Sequence, residues 1–263
     1  MKKDDRDAID LEEDYNSQEI EEELLAAAPS PLLKVVAFLT ALVFIGFTFL
    51  TLWPGQQMPL ELVKESLRLA KQIDVQRLQS AVVEINVIAG DRAFPINASA
   101  RKGTGFNISN DGLIVTNYHV IKDALNMTIT FPNGAIYKAE KWTTKPDFDL
   151  ALIKISGSKL PFVPLNTKKS PVQGDKIRVV GNPLSLNNVV VEGKVNGYML
   201  ANGIKVFSID APIYPGNSGS PVFDQDGLVT GVVFANYQDK SQDQKTPFGL
   251  AIPISNILDM KFK

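Results

Sequence analysis

Hydrophobic and polar positions follow three regimes along this chain. Residues 1–34 carry apolar side chains without a period. From Val35 to Trp53 the run VVAFLTALVFIGFTFLTLW holds 19 consecutive uncharged residues. A helix of that length crosses the hydrocarbon core of a bilayer, whereas a soluble helix would show a polar face within about five turns. Between Pro59 and Gln79, the residues Leu60, Val63, Leu67, Ala70, Ile73 and Leu78 approximate a helical stripe broken by Lys, Glu and Arg. That spacing predicts a helix packed against its own domain rather than a bare stalk. The divisions expected are a tail over 1–34, a transmembrane helix over 35–53, a helical stalk or linker over 54–79 and a further domain over 80–263.

From about Ser80 the period shortens. Val-, Ile- and Leu-rich runs, VVEINVIA (82–89), GLIVTNY (112–118), MTITF (127–131), LALIKI (150–155), KIRVVG (176–181), NVVVEGKV (188–195), KVFSID (205–210) and LVTGVVFA (228–235), alternate with turn signals. The turns are Asn110-Asp111-Gly112, Pro132-Asn133-Gly134, Ala201-Asn202-Gly203 and Asp224-Gln225-Asp226-Gly227. Many short strands with hairpin punctuation predict an all-β barrel or sandwich, not βαβ units.

Charge sharpens the first boundary. Residues 1–30 hold 11 acidic and 3 basic side chains, so the net charge of -2 conceals an acidic tail on a mildly basic remainder. Such a tail stays solvated. The basic residues are scattered in runs no longer than two, which argues against nucleic acid as a partner. There is no cysteine and a single histidine, which excludes cysteine zinc sites, disulfide frameworks and thiol nucleophiles; no metal or cofactor is expected. A cleaved signal peptide is disfavoured, because the apolar run begins after more than thirty residues, follows an acidic tail and precedes no A-x-A site. Counting Lys34 against Lys64, Arg68 and Lys71 would put the C-terminal side in the cytoplasm, but large domains translocate regardless of flanking charge.

Three segments carry chemistry. Ser218 lies in Tyr214-Pro215-Gly216-Asn217-Ser218-Gly219-Ser220-Pro221, where glycines permit a tight loop. A serine nucleophile needs such a loop, because neighbouring amides must point at the oxyanion formed on attack. Gly216 and Ser218 are the natural donors. The one histidine, His119, follows GLIVTNY at the end of an expected strand, where a neutral imidazole serves as a general base near neutral pH. The third group is a carboxylate that holds the imidazole in one tautomer. Asp149 opens the apolar run LALIKI and is preferred, with Asp147 as the alternative.

The order His, Asp, Ser in an all-β domain is that of chymotrypsin. GTGFNISNDGLIVTNYHVI (103–121), DFDLALIKI (147–155) and YPGNSGSPVFDQDGLVTGVV (214–233) resemble the catalytic blocks of trypsin-like serine peptidases of the HtrA (Deg) type. SAVVEINV (80–87) and FGLAIPISNI (248–257) resemble that domain's opening strand and closing segment. The resemblance implies two six-stranded antiparallel β-barrels, over about 80–168 and 169–257, with the site in the crevice between them. It implies His119 as base, Asp149 as its orienting partner, Ser218 as nucleophile and the amides of Gly216, Asn217 and Ser218 as oxyanion hole. Protein or peptide substrates and an extracytoplasmic, single-pass membrane protease follow, with homo-oligomerisation left open.

Two departures qualify the resemblance. Six residues follow FGLAIPISNI, so the PDZ domain usual in the family is expected to be absent. No Ile-Val-Gly-Gly activation sequence occurs, which argues against a trypsin-style zymogen. The competing reading is a membrane-tethered binding or sensor module that keeps the barrels without activity. For specificity, Ile213, Phe234, Ala235 and Asn236 suggest a pocket for small or apolar side chains, and Asp210 keeps a basic preference open.

Overall fold

The computed structural model describes residues 31–52, 60–70, 73–90, 98–183, 186, 188–201, 203–237 and 248–262. Residues 1–30 of the tail expected over 1–34 lie outside these residues, as do 53–59, the last residue of the expected transmembrane segment and the start of the expected stalk. The chain divides into two compact units, Met1–Gln57 and Met58–Lys263.

In the first unit, helix α1 runs Pro31–Leu52 over 22 residues. Val35, Phe38, Leu39, Val43, Phe44 and Ile45 are exposed along it, and Thr40 returns its hydroxyl to the Val36 carbonyl at 2.7 Å. Among the described residues, no helix is long and apolar enough to cross a membrane.

The second unit opens with α2 (Leu60–Ala70) and α3 (Ile73–Ser80). Leu69, Val75 and Leu78 are buried, and the buried Ser66 hydroxyl accepts the Val190 N–H at 2.8 Å. The helices therefore dock on their own domain: of the expected stripe Leu78 is buried and Val63 half-buried, but Leu67 is 61% exposed and Ser66 and Leu69 are buried beside it. Ser66 and Leu69 face inward because the hydroxyl satisfies an edge N–H that a leucine at the same place would leave unpaired.

Twelve strands follow: β1 Val82–Ala89, β2 Ser99–Asn107, β3 Leu113–Thr116, β4 Ala124–Thr130, β5 Ile136–Lys145, β6 Leu150–Ile155, β7 Lys176–Gly181, β8 Val189–Ala201, β9 Ile204–Ile209, β10 Pro221–Phe223, β11 Val229–Tyr237 and β12 Phe248–Pro253. They close two six-stranded antiparallel barrels, in the orders β1-β2-β3-β6-β5-β4 and β10-β11-β12-β9-β8-β7. This is the all-β, two-barrel architecture expected. Between them, Val229 donates to the Pro164 carbonyl and accepts from Asn166 N–H, both at 2.9 Å or less, so the connecting segment is stitched to β11.

Several strands read as unbroken apolar runs because both their faces are buried. Along β6, Ala151, Ile153 and Ile155 fill the first barrel with Val83, Ile85 and Ile129. The alternate residues Leu150 and Leu152 face a shared layer with Phe106, Val180, Phe223, Val232 and the helix residues Leu69, Val75 and Leu78. Val180 of β7 joins that layer, while Ile177 and Val179 fill the second barrel with Phe207, Ile209 and Val233. At the expected turn 132–134, Gly134 takes φ +84° and donates to the Phe131 carbonyl at 2.9 Å, a conformation that glycine adopts without strain.

Candidate active site

The first barrel supplies an imidazole and a carboxylate. After β3, Asn117 leads into a single helical turn, α4 (Tyr118–Ile121). This turn is organised almost wholly by Asp149. The Asp149 carbonyl accepts the Tyr118 N–H at 3.1 Å and the Asn117 side-chain amide at 3.0 Å. Its Oδ1 accepts the His119 N–H at 2.8 Å, and its Oδ2 lies 2.6 Å from His119 Nδ1. A carboxylate only accepts, so Nδ1 carries a proton, and in the neutral imidazole Nε2 then presents a lone pair. Asp149 itself sits at φ 48°, ψ 41°, closing a 3-10 turn (Pro146–Phe148) by donating its N–H to Pro146. This left-handed conformation is one that aspartate tolerates better than most residues. Asp147 is exposed, and the carboxylate that meets the ring is that of Asp149.

Arg101 of β2 braces the far end of the same turn, donating to the carbonyls of His119 at 3.4 Å and of Lys122. The imidazole stays accessible: its side chain is 47% exposed and that of Asp149 23%.

The second barrel supplies the hydroxyl. Between β9 and β10 the chain makes two successive turns, Asn217 N–H to the Tyr214 carbonyl at 3.0 Å and Ser220 N–H to the Asn217 carbonyl at 2.9 Å. Gly219 N–H donates to Val233, and Val233 N–H to Ser220, each at 2.9 Å, which pins the loop to β11. At Gly219, with φ +87°, a Cβ would collide with the Thr104 carbonyl oxygen and the Thr116 hydroxyl. Only glycine lets this loop of one barrel rest directly on β2 of the other.

Among the described residues, the N–H groups of Gly216 and Ser218 have no protein acceptor. Two unengaged amides beside a serine are what oxyanion stabilisation requires. The third amide expected to join them, that of Asn217, is instead committed to Tyr214, because the turn that shapes the loop consumes it. No hydrogen bond links Ser218 Oγ to His119 among the described contacts.

The pocket expectations fare unevenly. Ile213 is 4% exposed and belongs to the second barrel's core with Ile177, Phe207 and Val233, so it is structural filling, not an open pocket wall. Phe234 and Ala235 are half-buried, and the register of β11 against β12 shifts between Val233 and Ala235. Phe234 and Ala235 both pack against the layer shared by the two barrels. The Asn236 side chain lies outside the described residues. Asp210 is exposed and lines a surface cavity with Lys176, Arg178, Glu192 and Lys194. No group of acidic or histidine side chains suited to a metal occurs among the described residues.

Sequence reasoning missed Thr104, Asn117, Asn182 and Arg101. Thr104 and Asn117 are fully buried and Asn182 nearly so, and the only signal available was that polar residues stand within the apolar blocks 103–121 and 176–182.

Residues 103–232 match the trypsin-like peptidase domain. Over those residues the chain resembles trypsin-like peptidases. It is 37% identical over 143 residues, 52% of this chain and 29% of the relative, to the "Probable periplasmic serine endoprotease DegP-like" of Chlamydia trachomatis serovar D. To the serine endoprotease DegS of Salmonella typhimurium it is 32% identical over 158 residues, 58% of this chain and 44% of that protein. The crystal structure of the serine endoprotease from Yersinia pestis superposes with a TM-score of 0.57 at 29% identity, covering 68% of this chain and 61% of the other. The similarity is therefore to proteases of the HtrA/DegP type, and the chain spans less than half the length of these two curated relatives.

Proposed function

We propose that the chain is a serine endopeptidase in which Ser218 is the nucleophile, His119 the general base and Asp149 its orienting partner. The observation that carries this reading is the clamp on His119: one carboxylate holds both its backbone N–H and its ring, leaving Nε2 for a hydroxyl. Ser218 Oγ attacks the carbonyl carbon of a peptide bond while His119 Nε2 takes its proton. The oxyanion is held by the N–H groups of Gly216 and Ser218. The C–N bond then breaks, the proton passes from Nε2 to the departing amine, and an acyl-enzyme remains on Ser218. Water, deprotonated by the same nitrogen, releases the acid. The open Oγ–Nε2 link is consistent with a substrate-free site, where such contacts commonly tighten on binding. Neither a cofactor nor a metal enters the sequence of steps.

Val35–Trp53 serves in this reading as a membrane anchor with the peptidase domain outside the cytoplasm, acting on proteins or peptides there. What supports the anchor is the sequence, 19 consecutive uncharged residues from Val35 to Trp53, a number that suits the hydrocarbon core of a bilayer. The similarity to a periplasmic serine endoprotease points the same way.

The decisive experiment is labelling with a fluorophosphonate, alone and with stimulating peptides. Ser218-dependent labelling that disappears in Ser218→Ala supports the reading, and its absence under both conditions favours a catalytically silent binding module.

A further inference from the structure

Thr104, in the second half of β2, belongs to neither the imidazole–carboxylate pair nor the serine loop, yet four hydrogen bonds converge on it. Its N–H donates to the Ser218 carbonyl at 3.0 Å. Its hydroxyl donates to the Gly216 carbonyl at 2.7 Å and accepts the Asn182 N–H at 3.1 Å. Its carbonyl accepts the Thr116 hydroxyl at 2.7 Å. The side chain is fully buried, so none of these is exchanged for water.

The consequence is visible peptide by peptide. The Gly216–Asn217 peptide is held at its oxygen by Thr104 and at its N–H by the Tyr214 carbonyl. The Ser218–Gly219 peptide is held at its oxygen by the Thr104 N–H and at its own N–H by the Val233 carbonyl. The peptide between them gives its oxygen to Ser220. Of the six polar ends of three consecutive peptides, only the Ser218 N–H is left, and it is fixed in direction by its neighbours. Asn182 completes the device: by occupying a lone pair of the Thr104 hydroxyl, it directs that hydrogen toward Gly216.

We propose that Thr104 is a positioning residue whose hydroxyl, set by the Asn182 N–H, orients the Gly216–Asn217 peptide and, together with the Thr104 N–H on the Ser218 carbonyl, aims the oxyanion amide of Ser218. The proposal rests on the peptidase reading. It makes the competence of a loop on the second barrel depend on a side chain of the first.

The test compares Thr104→Val, which keeps the shape and removes the hydroxyl, with Thr104→Ser, which keeps the hydroxyl. The readouts are kcat and KM on a peptide substrate and the rate of fluorophosphonate labelling of Ser218. Removing a whole oxyanion donor costs about 100- to 1,000-fold. Misaiming one should cost less, about 10- to 100-fold in kcat and labelling rate for T104V, with KM within about threefold, because only transition-state contacts are lost. T104S should stay within about threefold of the wild type. Should T104V fail to fold, Thr104→Cys, a weak donor of similar size, takes its place with the same expected order. Equal labelling rates in wild type and T104V, or equal losses in T104S and T104V, would overturn the positioning role. A wild-type protein that labels no better than S218A would instead overturn the peptidase reading itself, and the proposal with it.

Discussion

Asp149→Asn isolates the tautomer from every other feature of the site. The substitution keeps the size of the side chain and leaves the Asp149 carbonyl free to hold Tyr118 and Asn117, so α4 should keep its place. What changes is that one of two acceptor oxygens becomes a donor. The backbone N–H of His119 has a single hydrogen and always needs an acceptor, which fixes the remaining amide oxygen at the Oδ1 position, 2.8 Å from that nitrogen. The amide NH2 then faces Nδ1 at the position now occupied by Oδ2, 2.6 Å away. Nδ1 must become an acceptor, its proton moves to Nε2, and Nε2 loses the lone pair that would take the serine proton. For serine proteases this inversion lowers kcat by about 10⁴-fold, equivalent to about 5.5 kcal/mol of transition-state stabilisation. Steady-state kinetics on a peptide substrate should show kcat falling by that factor with KM nearly unchanged. The melting temperature should move by no more than a few degrees, since the backbone bonds persist. The reasoning is refuted if D149N retains activity within tenfold of wild type, or if Asp147→Asn, altering an exposed side chain, costs as much.

Three further outcomes follow from packing and charge. Gly219→Ala should destabilise the domain by about 3–5 kcal/mol, since its Cβ meets a backbone oxygen at positive φ; a urea midpoint unchanged from wild type would sink the account of the loop seat. Leu69→Ala, emptying a site that is 1% exposed, should cost about 2–4 kcal/mol, while Leu67→Ala at 61% exposure should stay within about 0.5 kcal/mol; comparable losses would show that the helix does not dock as described. Lys145 reaches both carboxylate oxygens of Asp259 at 2.8 Å and holds that carboxyl below its ordinary value. A depressed pKa stabilises the fold above the ordinary carboxylate value and ceases to do so as pH falls through the folded value. The melting-temperature gap between wild type and Lys145→Met should therefore narrow from about pH 5 down to pH 2, and a gap that widened toward acid would contradict the sign.

How far the sequence spoke for the fold depended on where each strand's side chains went. β1, β6, β7 and β11 were legible because Val, Ile and Leu fill most of their buried positions, and in β6 five of six residues are buried. β5 was not, since Ala139 is its only buried residue and six of its ten positions are Lys, Glu or Thr. β10 is three residues long, too short for any period, and the first half of β2 is exposed and basic. In the stalk, a leucine-counting rule chose Leu67, whereas the fold buries Ser66 for the sake of one backbone N–H. At the site, the lone histidine and the glycine-rich serine loop announced themselves by composition. Ile213 misled because a buried isoleucine looks the same in sequence whether it lines a pocket or fills a barrel. Thr104 was invisible for a different reason: its partner Gly216 lies 112 residues away, and no local pattern encodes a bond across that distance.

Dividing the chemical groups between two barrels also bears on the birth of the molecule. His119 and Asp149 emerge with the first barrel, Ser218 only midway through the second, and the loop carrying it finds its seat only on a completed β2. On the peptidase reading, a half-synthesised or half-folded chain has a base without a nucleophile, and a fully synthesised one has a nucleophile without aimed amides until the barrels join. Hydrolytic power thus appears last, once the extended segments that would be the protease's nearest victims, its own, have already been sequestered in sheets.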